Sequence, residues 1–225
     1  VLPMSHVYGM MLMNIGVVLG GQDVLLPHFD PESVLQTIQE FRIERCSLVP
    51  AMQVVLIHHP SRENYDLSSL TTVIAGSAPL TEEVRSTFSQ LFDCRVVDGY
   101  GQSEATCVVC GYRDGEEPVP GSAGRPIPGV EVSVQDDHNN RLGPNVTGEI
   151  CVRGPNVMLG YWKNKEATAS AVVDGWLHSG DVGHIDDNGY IYITDRRKDM
   201  IIKGGENISP REIEEAIAAL PEVAE

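Results

Sequence analysis

The chain has 225 residues, of which 42% are hydrophobic and 21% are charged, a balance typical of a globular protein that can bury a core. Its formal net charge of -16 argues against nucleic acid or an anionic membrane surface as a partner, because both would require a cationic face. No signal peptide or transmembrane segment is visible, and the five cysteines are irregularly spaced, so we expect a cytoplasmic protein with reduced thiols.

The first predicted elements are two helices. The apolar run GMMLMNIGVVLGG at 9–21 is too short and too rich in glycine to span a bilayer, and it predicts a buried helix. The segment FDPESVLQTIQEFRI predicts a second helix, with Asp30 as its N-cap and Pro31 at its first position. The spacing of its apolar residues predicts one apolar face, formed by Val34, Leu35, Ile38 and Phe41.

Strands and helices then alternate. CSLVPA and TTVIAGSAP predict short buried strands that each run into a loop of small residues, and CRVVDGYG predicts a third strand. LTEEVRSTFSQLF predicts an intervening helix capped by Thr81. This order predicts a parallel sheet with helices over its faces, and ligands of such sheets bind beyond the carboxyl ends of the strands.

The character of the chain changes after about Gly121. VEVSVQD, GEICVRG and GYIYITDR alternate with the period of a strand, and DDNGY at 186–190 carries the Asn-Gly pair of a tight hairpin. SPREIEEAIAAL then predicts a helix with Ser209 as N-cap and Glu212 closing a capping box.

The predicted fold class is therefore α/β: a parallel sheet with flanking helices, a small antiparallel β-barrel-like subdomain, and the start of a small α+β domain. The predicted boundaries are 1–120, 121–197 and 198–225.

Two cysteines have the spacing of metal ligands. Cys107 and Cys110 form a C-x-x-C pair, but the sequence contains no second Cys/His pair to match it. A buried apolar segment is therefore the favoured interpretation.

Four short stretches contain residues suited to chemistry: AGSAP (75–79), DGYGQSE (98–104), HSGDVG (178–183) and DRRKDMIIKGGENISPREIE (195–214). Taken singly, each has an ordinary interpretation as a turn, a strand cap or a solvated surface. In this order and at these separations, they resemble the adenylate-forming superfamily of acyl-CoA synthetases, peptide-synthetase adenylation domains and firefly luciferase. The resemblance covers nearly the whole chain, including PMSHVYG at its start and the long stretch GYWKNKEATASAVVDGWLHSGDVG. DMIIKGGENISPREIEEAI looks most like acyl-CoA ligases.

The resemblance implies a nucleotide site in DGYGQSE. Tyr100 would lie against adenine, Ser103 would hydrogen-bond a phosphate oxygen, and Glu104 would hold Mg²⁺, an ion that prefers oxygen ligands. The flanking glycines would let the backbone approach the nucleotide. The alternative interpretation is a tight turn with a surface glutamate. The nucleotide-binding residues implied in this half of the chain are Gly76, Ser77, Ala78, Pro79, Asp98, Gly99, Tyr100, Gly101, Gln102 and Ser103.

Further roles are implied downstream. Asp181 would accept both ribose hydroxyls, with a strand-end cap as the alternative, and Arg196 would contact the ribose and phosphate end of the adenylate. Arg197 has no such match and is expected to be solvated. The residues implied in catalysis are Ser103, Glu104 and Arg196.

The resemblance also implies an acyl site. His6 would lie beside the carboxylate being activated, with Tyr8 and Gly101 in the acyl pocket, although a structural histidine on a buried segment is the alternative. The candidate pocket segments 8–16 and 105–111 are apolar and contain no basic residue. We therefore expect an aliphatic or otherwise hydrophobic acid rather than a dicarboxylate.

The last implied sites concern domain movement and the acceptor. Lys198 corresponds to the hinge about which the family's small C-terminal domain turns between adenylation and thioester formation; a plain linker lysine is the alternative. Gly204 and Gly205 correspond to glycines that approach the pantetheine arm of CoA, and turn glycines are the alternative.

The implied function is an ATP-dependent acyl-CoA ligase that uses ATP, Mg²⁺ and CoA. An adenylation domain that loads a carrier protein and a non-catalytic nucleotide-binding relative remain as alternatives. Both ends of the chain look cut, so we expect an internal fragment that lacks the family's upstream phosphate loop and downstream catalytic lysine. We expect that fragment to be inactive alone, and the sequence assigns no oligomeric state.

Overall fold

The computed structural model describes residues 2–78, 80–198, 201–203, 206–208 and the single positions 210, 213 and 217. The chain forms two compact units, Val1–Gly124 and Arg125–Glu225. The helices and strands of the first unit are α1 (Val7–Leu19), α2 (Pro31–Phe41), β1 (Arg45–Leu48), α3 (Pro50–Ile57), β2 (Thr72–Ala75), α4 (Glu82–Phe92), β3 (Arg95–Asp98) and β4 (Cys110–Gly111).

The first unit is built on a parallel sheet. Its strand order is β1-β2-β3, and Thr72 of β2 lies between Arg45 of β1 and Arg95 of β3. The crossover from β1 to β2 contains α3, and the crossover from β2 to β3 contains α4. Parallel neighbours require such crossovers, and the arrangement confirms the predicted parallel sheet with helices.

The core of the first unit lies between this sheet and its helices. Asp30 caps α2, since its Oδ2 atom accepts a hydrogen bond from the Ser33 amide at 2.8 Å, and Thr81 caps α4 as predicted. Phe41, at the last position of its helix, is 48% exposed. The buried residues of the core cluster are Val34, Leu35, Ile38, Leu48, Leu56, Leu70, Val73, Ala75, Leu80, Phe88, Phe92, Cys94 and Val96.

Helix α1 is present as predicted, but the prediction that it is buried is wrong for this structure. Only Tyr8 and Gly9 of the helix are buried, and the helix ends at Gly20, whose φ of 68° suits glycine. The exposed apolar residues of the helix are Met10, Met13, Ile15, Val17, Val18 and Leu19. Across the part of the chain that the structure describes, no helix has the length and apolarity needed to cross a membrane.

The second unit is built on an antiparallel sheet. Its elements are β5 (Arg125–Pro126), β6 (Glu131–Gln135), β7 (Gly148–Arg153), α5 (Lys165–Ala171), β8 (Val172–Val173), β9 (Trp176–Ile185), β10 (Ile191–Arg196), β11 (Ile201–Lys203) and β12 (Glu206–Ile208). The strand order is β10-β9-β7-β6, with β8 paired to β9. The predicted antiparallel sheet is therefore confirmed.

The predicted hairpin at 186–190 joins β9 to β10. The Asp186 amide donates to the Tyr190 carbonyl at 3.0 Å, and Gly189 has a φ of 82°. The predicted cap residues Ser209 and Glu212 lie outside the described residues.

Candidate active site

The loop after β3 places a hydroxyl and a carboxylate on one short turn. Ser103–Ala105 form a 3-10 helix in the loop that follows the strand, with Ser103 exposed and Glu104 half-buried. Tyr100 fixes the base of the loop, because its amide donates to the Cys110 carbonyl and the Cys110 amide donates back, both at 3.1 Å. Asp98 is the last residue of β3.

Gln102 offers this loop an unused donor. Its carbonyl accepts hydrogen bonds from the Ala105 and Cys107 amides at 3.0 and 3.1 Å, which closes the turn. Its side-chain Nε2 atom is buried, and no described residue accepts a hydrogen bond from it. A buried donor without a protein partner is uncommon, and a ligand oxygen could satisfy it.

Glycine at position 101 is required by the loop itself. A Cβ atom built on Gly101 would lie 1.5 Å from the Cys107 carbonyl oxygen, which is far inside contact distance. A Cβ atom on Gly99 would lie 3.5 Å from the Cys110 carbonyl oxygen, which is ordinary contact. Close approach of the chain to itself therefore explains Gly101 independently of any nucleotide.

The loop after β2 lies over a buried tyrosine. Gly76 is buried, and a Cβ atom there would lie 3.1 Å from the Tyr8 ring, whereas Ser77 and Ala78 are exposed. The Tyr8 hydroxyl contacts Ser47 Oγ at 3.2 Å, and burial raises the pKa of Tyr8 to about 12. Ser77 has a φ of 69°, which is unusual for a residue other than glycine. The predicted site residue Pro79 lies outside the described residues.

An apolar cavity of about 570 Å³ lies along α1, and both candidate pocket segments contribute to it. Its lining residues are Val7, Met10, Met11, Asn14, Ile15, Val18, Leu19 and Thr106. The predicted acyl-pocket residues His6, Tyr8 and Gly101 are not among them. His6 is instead exposed as the N-cap of α1, where its Nδ1 atom accepts a hydrogen bond from the Tyr8 amide at 3.2 Å.

In the second unit, the two predicted ribose contacts lie together. Asp181 is 5% exposed in the interior of β9, and its Oδ1 atom lies 3.2 Å from Nε of Arg196 on β10. The two residues are direct partners in the strand register. The position inside a strand disfavours the alternative that Asp181 merely caps a strand end.

Arg197 is exposed, which agrees with the expectation that it is solvated, but it also has two ion-pair partners. Its guanidinium lies 3.1 Å from Oε2 of Glu149 and 2.6 Å from Oδ1 of Asp137. Lys198, the predicted hinge residue, follows it and is exposed. Gly204 and Gly205, the predicted CoA contacts, lie outside the described residues.

A cluster of metal-ligand types in the second unit was missed from the sequence. The ligand atoms of Glu149, Cys151 and His178 lie within 4.8 Å of one another. His178 Nδ1 lies 3.0 Å from Glu149 Oε2 and 3.5 Å from Cys151 Sγ. Burial raises the pKa of the Cys151 thiol to about 12, so the thiol is protonated. The alternation of Glu149 and Cys151 on one face of a strand was a detectable signal, but His178 is distant in sequence.

Cys107 and Cys110 are both buried free thiols, which agrees with the interpretation of their spacing as an apolar segment. Burial raises the pKa of both groups, to about 12 for Cys110.

Comparison of the chain with known proteins identifies the enzyme family to which it belongs. The model of the AMP-binding enzyme family matches residues 1–162 of the chain. The chain therefore belongs to the AMP-binding enzyme family, as the motifs predict.

Individual relatives differ in the acid that their names specify. The chain is similar to a long-chain-fatty-acid–CoA ligase from Bacillus subtilis, with 42% identity over 96% of the chain and 39% of the relative. It is similar to 4-coumarate–CoA ligase-like 2 from Arabidopsis thaliana, with 39% identity over the whole chain and 41% of the relative. The chain thus spans about two fifths of the length of these curated relatives.

A solved structure supports the same assignment. The O-succinylbenzoate coenzyme A synthetase from Bacillus subtilis, in complex with ATP and magnesium ion, matches with a TM-score of 0.88 and 31% identity. The match covers the whole chain and 46% of that structure.

Proposed function

We propose that the protein of which this chain forms part is an ATP-dependent acid–CoA ligase. The main support is the 3-10 turn that carries Ser103 and Glu104 at the carboxyl end of β3, in a chain of the AMP-binding enzyme family. Similarity to proteins named as CoA ligases favours CoA over a carrier protein as acceptor.

The proposed residue roles follow the chemistry of each side chain. Tyr100 presents an aromatic ring to adenine, and the Ser103 hydroxyl donates to a phosphate oxygen. The Glu104 carboxylate fits Mg²⁺, because it is a half-buried oxygen donor on the same turn. Bound there, Mg²⁺ would neutralise phosphate charge. Asp181 accepts from ribose hydroxyls, and Arg196 stabilises negative charge at the phosphate end.

The proposed reaction has two steps. An oxygen of the substrate carboxylate attacks the α-phosphorus of ATP, and the bond to pyrophosphate breaks, which leaves an acyl-AMP. The sulfur of CoA then attacks the acyl carbonyl, its proton is lost, and AMP departs. In both steps Ser103 and Arg196 contribute by positioning and by stabilising charge rather than by forming bonds.

No cysteine of the chain suits a covalent role in this scheme. Burial raises the pKa of all five thiols, so each is neutral near pH 7 and a poor nucleophile. Five free thiols are also consistent with a reducing compartment, and we propose a cytoplasmic location on that basis.

The proposed substrate is a hydrophobic acid. The cavity along α1 is lined by methionine, valine, isoleucine and leucine, with Asn14 and Thr106 as its polar residues. A volume of about 570 Å³ lies within the usual range of small-molecule pockets. The lining contains no basic side chain to meet a second carboxylate.

The proposal is tested by isotope exchange between ATP and pyrophosphate in the full-length protein, followed by assay of AMP release. We expect exchange that requires a hydrophobic acid, and AMP release that requires CoA as well. AMP release that depends on the acid but is indifferent to CoA would refute the assignment of CoA as acceptor.

A further inference from the structure

Strand β9 contains an irregularity next to Asp181. On β7, Glu149 pairs with Val182 and Cys151 pairs with His178. One residue of β7, Ile150, therefore lies opposite three residues of β9, at 179–181. Gly180 adopts a φ of 74° in this bulge. Bulges interrupt the hydrogen-bond ladder and are common beside active sites, where they re-aim a side chain.

The side chain of Glu149 holds this bulge. Its carboxylate is 10% exposed, and its Oε1 atom accepts a hydrogen bond from the Gly180 amide at 3.0 Å. That amide is one residue before Asp181. A half-buried amide in a bulge is satisfied by such an acceptor when the neighbouring strand does not supply one.

The same carboxylate also holds the end of β10. Its Oε2 atom lies 3.1 Å from the Arg197 guanidinium and 3.0 Å from His178 Nδ1. The Arg197 amide in turn donates to the Gly180 carbonyl at 2.8 Å. Glu149 therefore contacts Gly180, which directly precedes Asp181, and Arg197, which directly follows Arg196.

We propose that Glu149 is a positioning residue for nucleotide binding, which sets the places of Asp181 and Arg196 through Gly180 and Arg197. Glu149 itself forms no contact with substrate in this scheme. The inference rests on the proposed function only in assigning the nucleotide to Asp181 and Arg196. A metal ion on Glu149, Cys151 and His178 is disfavoured, because the Arg197 guanidinium already provides the cation that neutralises Glu149.

The test compares Glu149→Gln with Glu131→Gln in the full-length protein. Glu131 pairs with Arg153 on the same sheet, but that pair is exposed and lies away from the bulge. Glu131→Gln therefore removes the same charge as Glu149→Gln without affecting the bulge. The dissociation constant for ATP is measured by calorimetry, which requires no turnover. Failure of the ligase assay is therefore distinguishable from failure of this inference.

We expect Glu149→Gln to weaken ATP binding about tenfold, and Glu131→Gln to change it by less than about twofold. Where the protein turns over, KM for ATP should rise with a smaller change in kcat. Amide hydrogen exchange at Gly180 and Asp181 should quicken in Glu149→Gln alone.

A second variant, Arg197→Met, guards against misfolding of Glu149→Gln. It removes one partner of Glu149 at a side chain that is 53% exposed, and it should weaken ATP binding in the same direction. Unchanged ATP affinity in either folded variant would overturn the proposal. A lowered melting temperature with wild-type ATP affinity would do the same, since it would show a structural role only.

Discussion

The ion pair between Asp181 and Arg196 joins two side chains that the proposal assigns to one end of the nucleotide. Asp181 is almost fully buried, whereas the side chain of Arg196 is 62% exposed. The contact with Arg196 helps to hold this buried carboxylate in a fixed position. Ligand hydroxyls can then donate to the carboxylate with little cost of ordering it.

Replacing Asp181→Asn removes this charge at nearly constant shape. Hydrogen bonds to charged groups contribute about 1.5–3 kcal/mol, so ATP binding in the full-length protein should weaken about tenfold to a hundredfold. Calorimetric titration with ATP measures the change. The matched control is Asp114→Asn, which breaks an exposed pair with Arg45 in the first unit. Equal ATP affinity in both variants would exclude Asp181 from the nucleotide site.

The buried Tyr8 makes the free energy of unfolding depend on pH in the alkaline range. Burial raises its pKa from 10.0 to about 12, so the folded state holds the phenolic proton more tightly than the unfolded state. The contribution of Tyr8 to the free energy of unfolding is complete below pH 10 and is lost as the pH rises from 10 towards 12. The free energy of unfolding falls by at most about 1.4 kcal/mol per pH unit in this range.

Tyr8→Phe should therefore flatten the fall of stability between pH 10 and pH 12. At neutral pH it should cost about 1 kcal/mol for the lost hydrogen bond to Ser47. Urea unfolding at several pH values measures both effects. The difference between the two proteins reports the titration of Tyr8 together with its electrostatic coupling to Cys46 and Cys107. An identical slope in the two proteins would show that Tyr8 does not contribute.

At the scale of elements, the loop after β3 depends on one glycine. Gly101→Ala places a Cβ atom against the Cys107 carbonyl oxygen, so the backbone of the loop must move. We expect a loss of about 1–3 kcal/mol or more in unfolding free energy, together with weaker ATP binding. Gly111→Ala is the control, because its added Cβ atom meets nothing within 4 Å. Similar losses in the two variants would contradict this account of the loop.

The cavity along α1 supplies a prediction about acid length. Ile15 lines the cavity, whereas Val17 on the same helix does not. Ile15→Trp should lower kcat/KM for long acids relative to short ones by about tenfold, since a bulky ring occupies the volume that a long chain needs. Val17→Trp should leave that ratio unchanged. A parallel loss for all acid lengths in Ile15→Trp would argue against this cavity as the acyl site.

The elements predicted most reliably are those with clear local signals. Helix α2 begins at the Asp30-Pro31 signal, and strands β1 to β3 follow from short apolar runs between loops. The apolar composition of α1 predicted a helix but not its exposure. Composition shows that a helix has apolar surface, but it does not show which residues pack against that surface. Strand β9 was missed because polar residues interrupt its alternation around the bulge at Gly180.

The candidate site was predictable only in part, because sequence motifs report neighbours along the chain and not contacts between distant segments. The motifs of DGYGQSE and HSGDVG are local and were recognised, and the pairing of Asp181 with Arg196 brings two of the named residues together. The network around Glu149 was not found, because its partners His178 and Arg197 are 29 and 48 residues away in sequence. Only the strand register brings these side chains together.

At the scale of the whole molecule, the two units supply different parts of the proposed chemistry. The first unit carries the 3-10 turn with Ser103 and Glu104 and the apolar cavity. The second unit carries the Asp181–Arg196 pair and, at its exposed position, Lys198. Because the chain spans about two fifths of the length of its curated relatives, activity is a property to test in the full-length protein.

The most direct test of the central claim is hydroxylamine trapping of acyl-AMP by the full-length protein with ATP, Mg²⁺ and a panel of acids. We expect hydroxamate from hydrophobic acids, strict dependence on ATP, and little product from dicarboxylates. Absence of hydroxamate with every acid, in a protein that still binds ATP, would refute the proposed ligase activity and favour a non-catalytic nucleotide-binding relative.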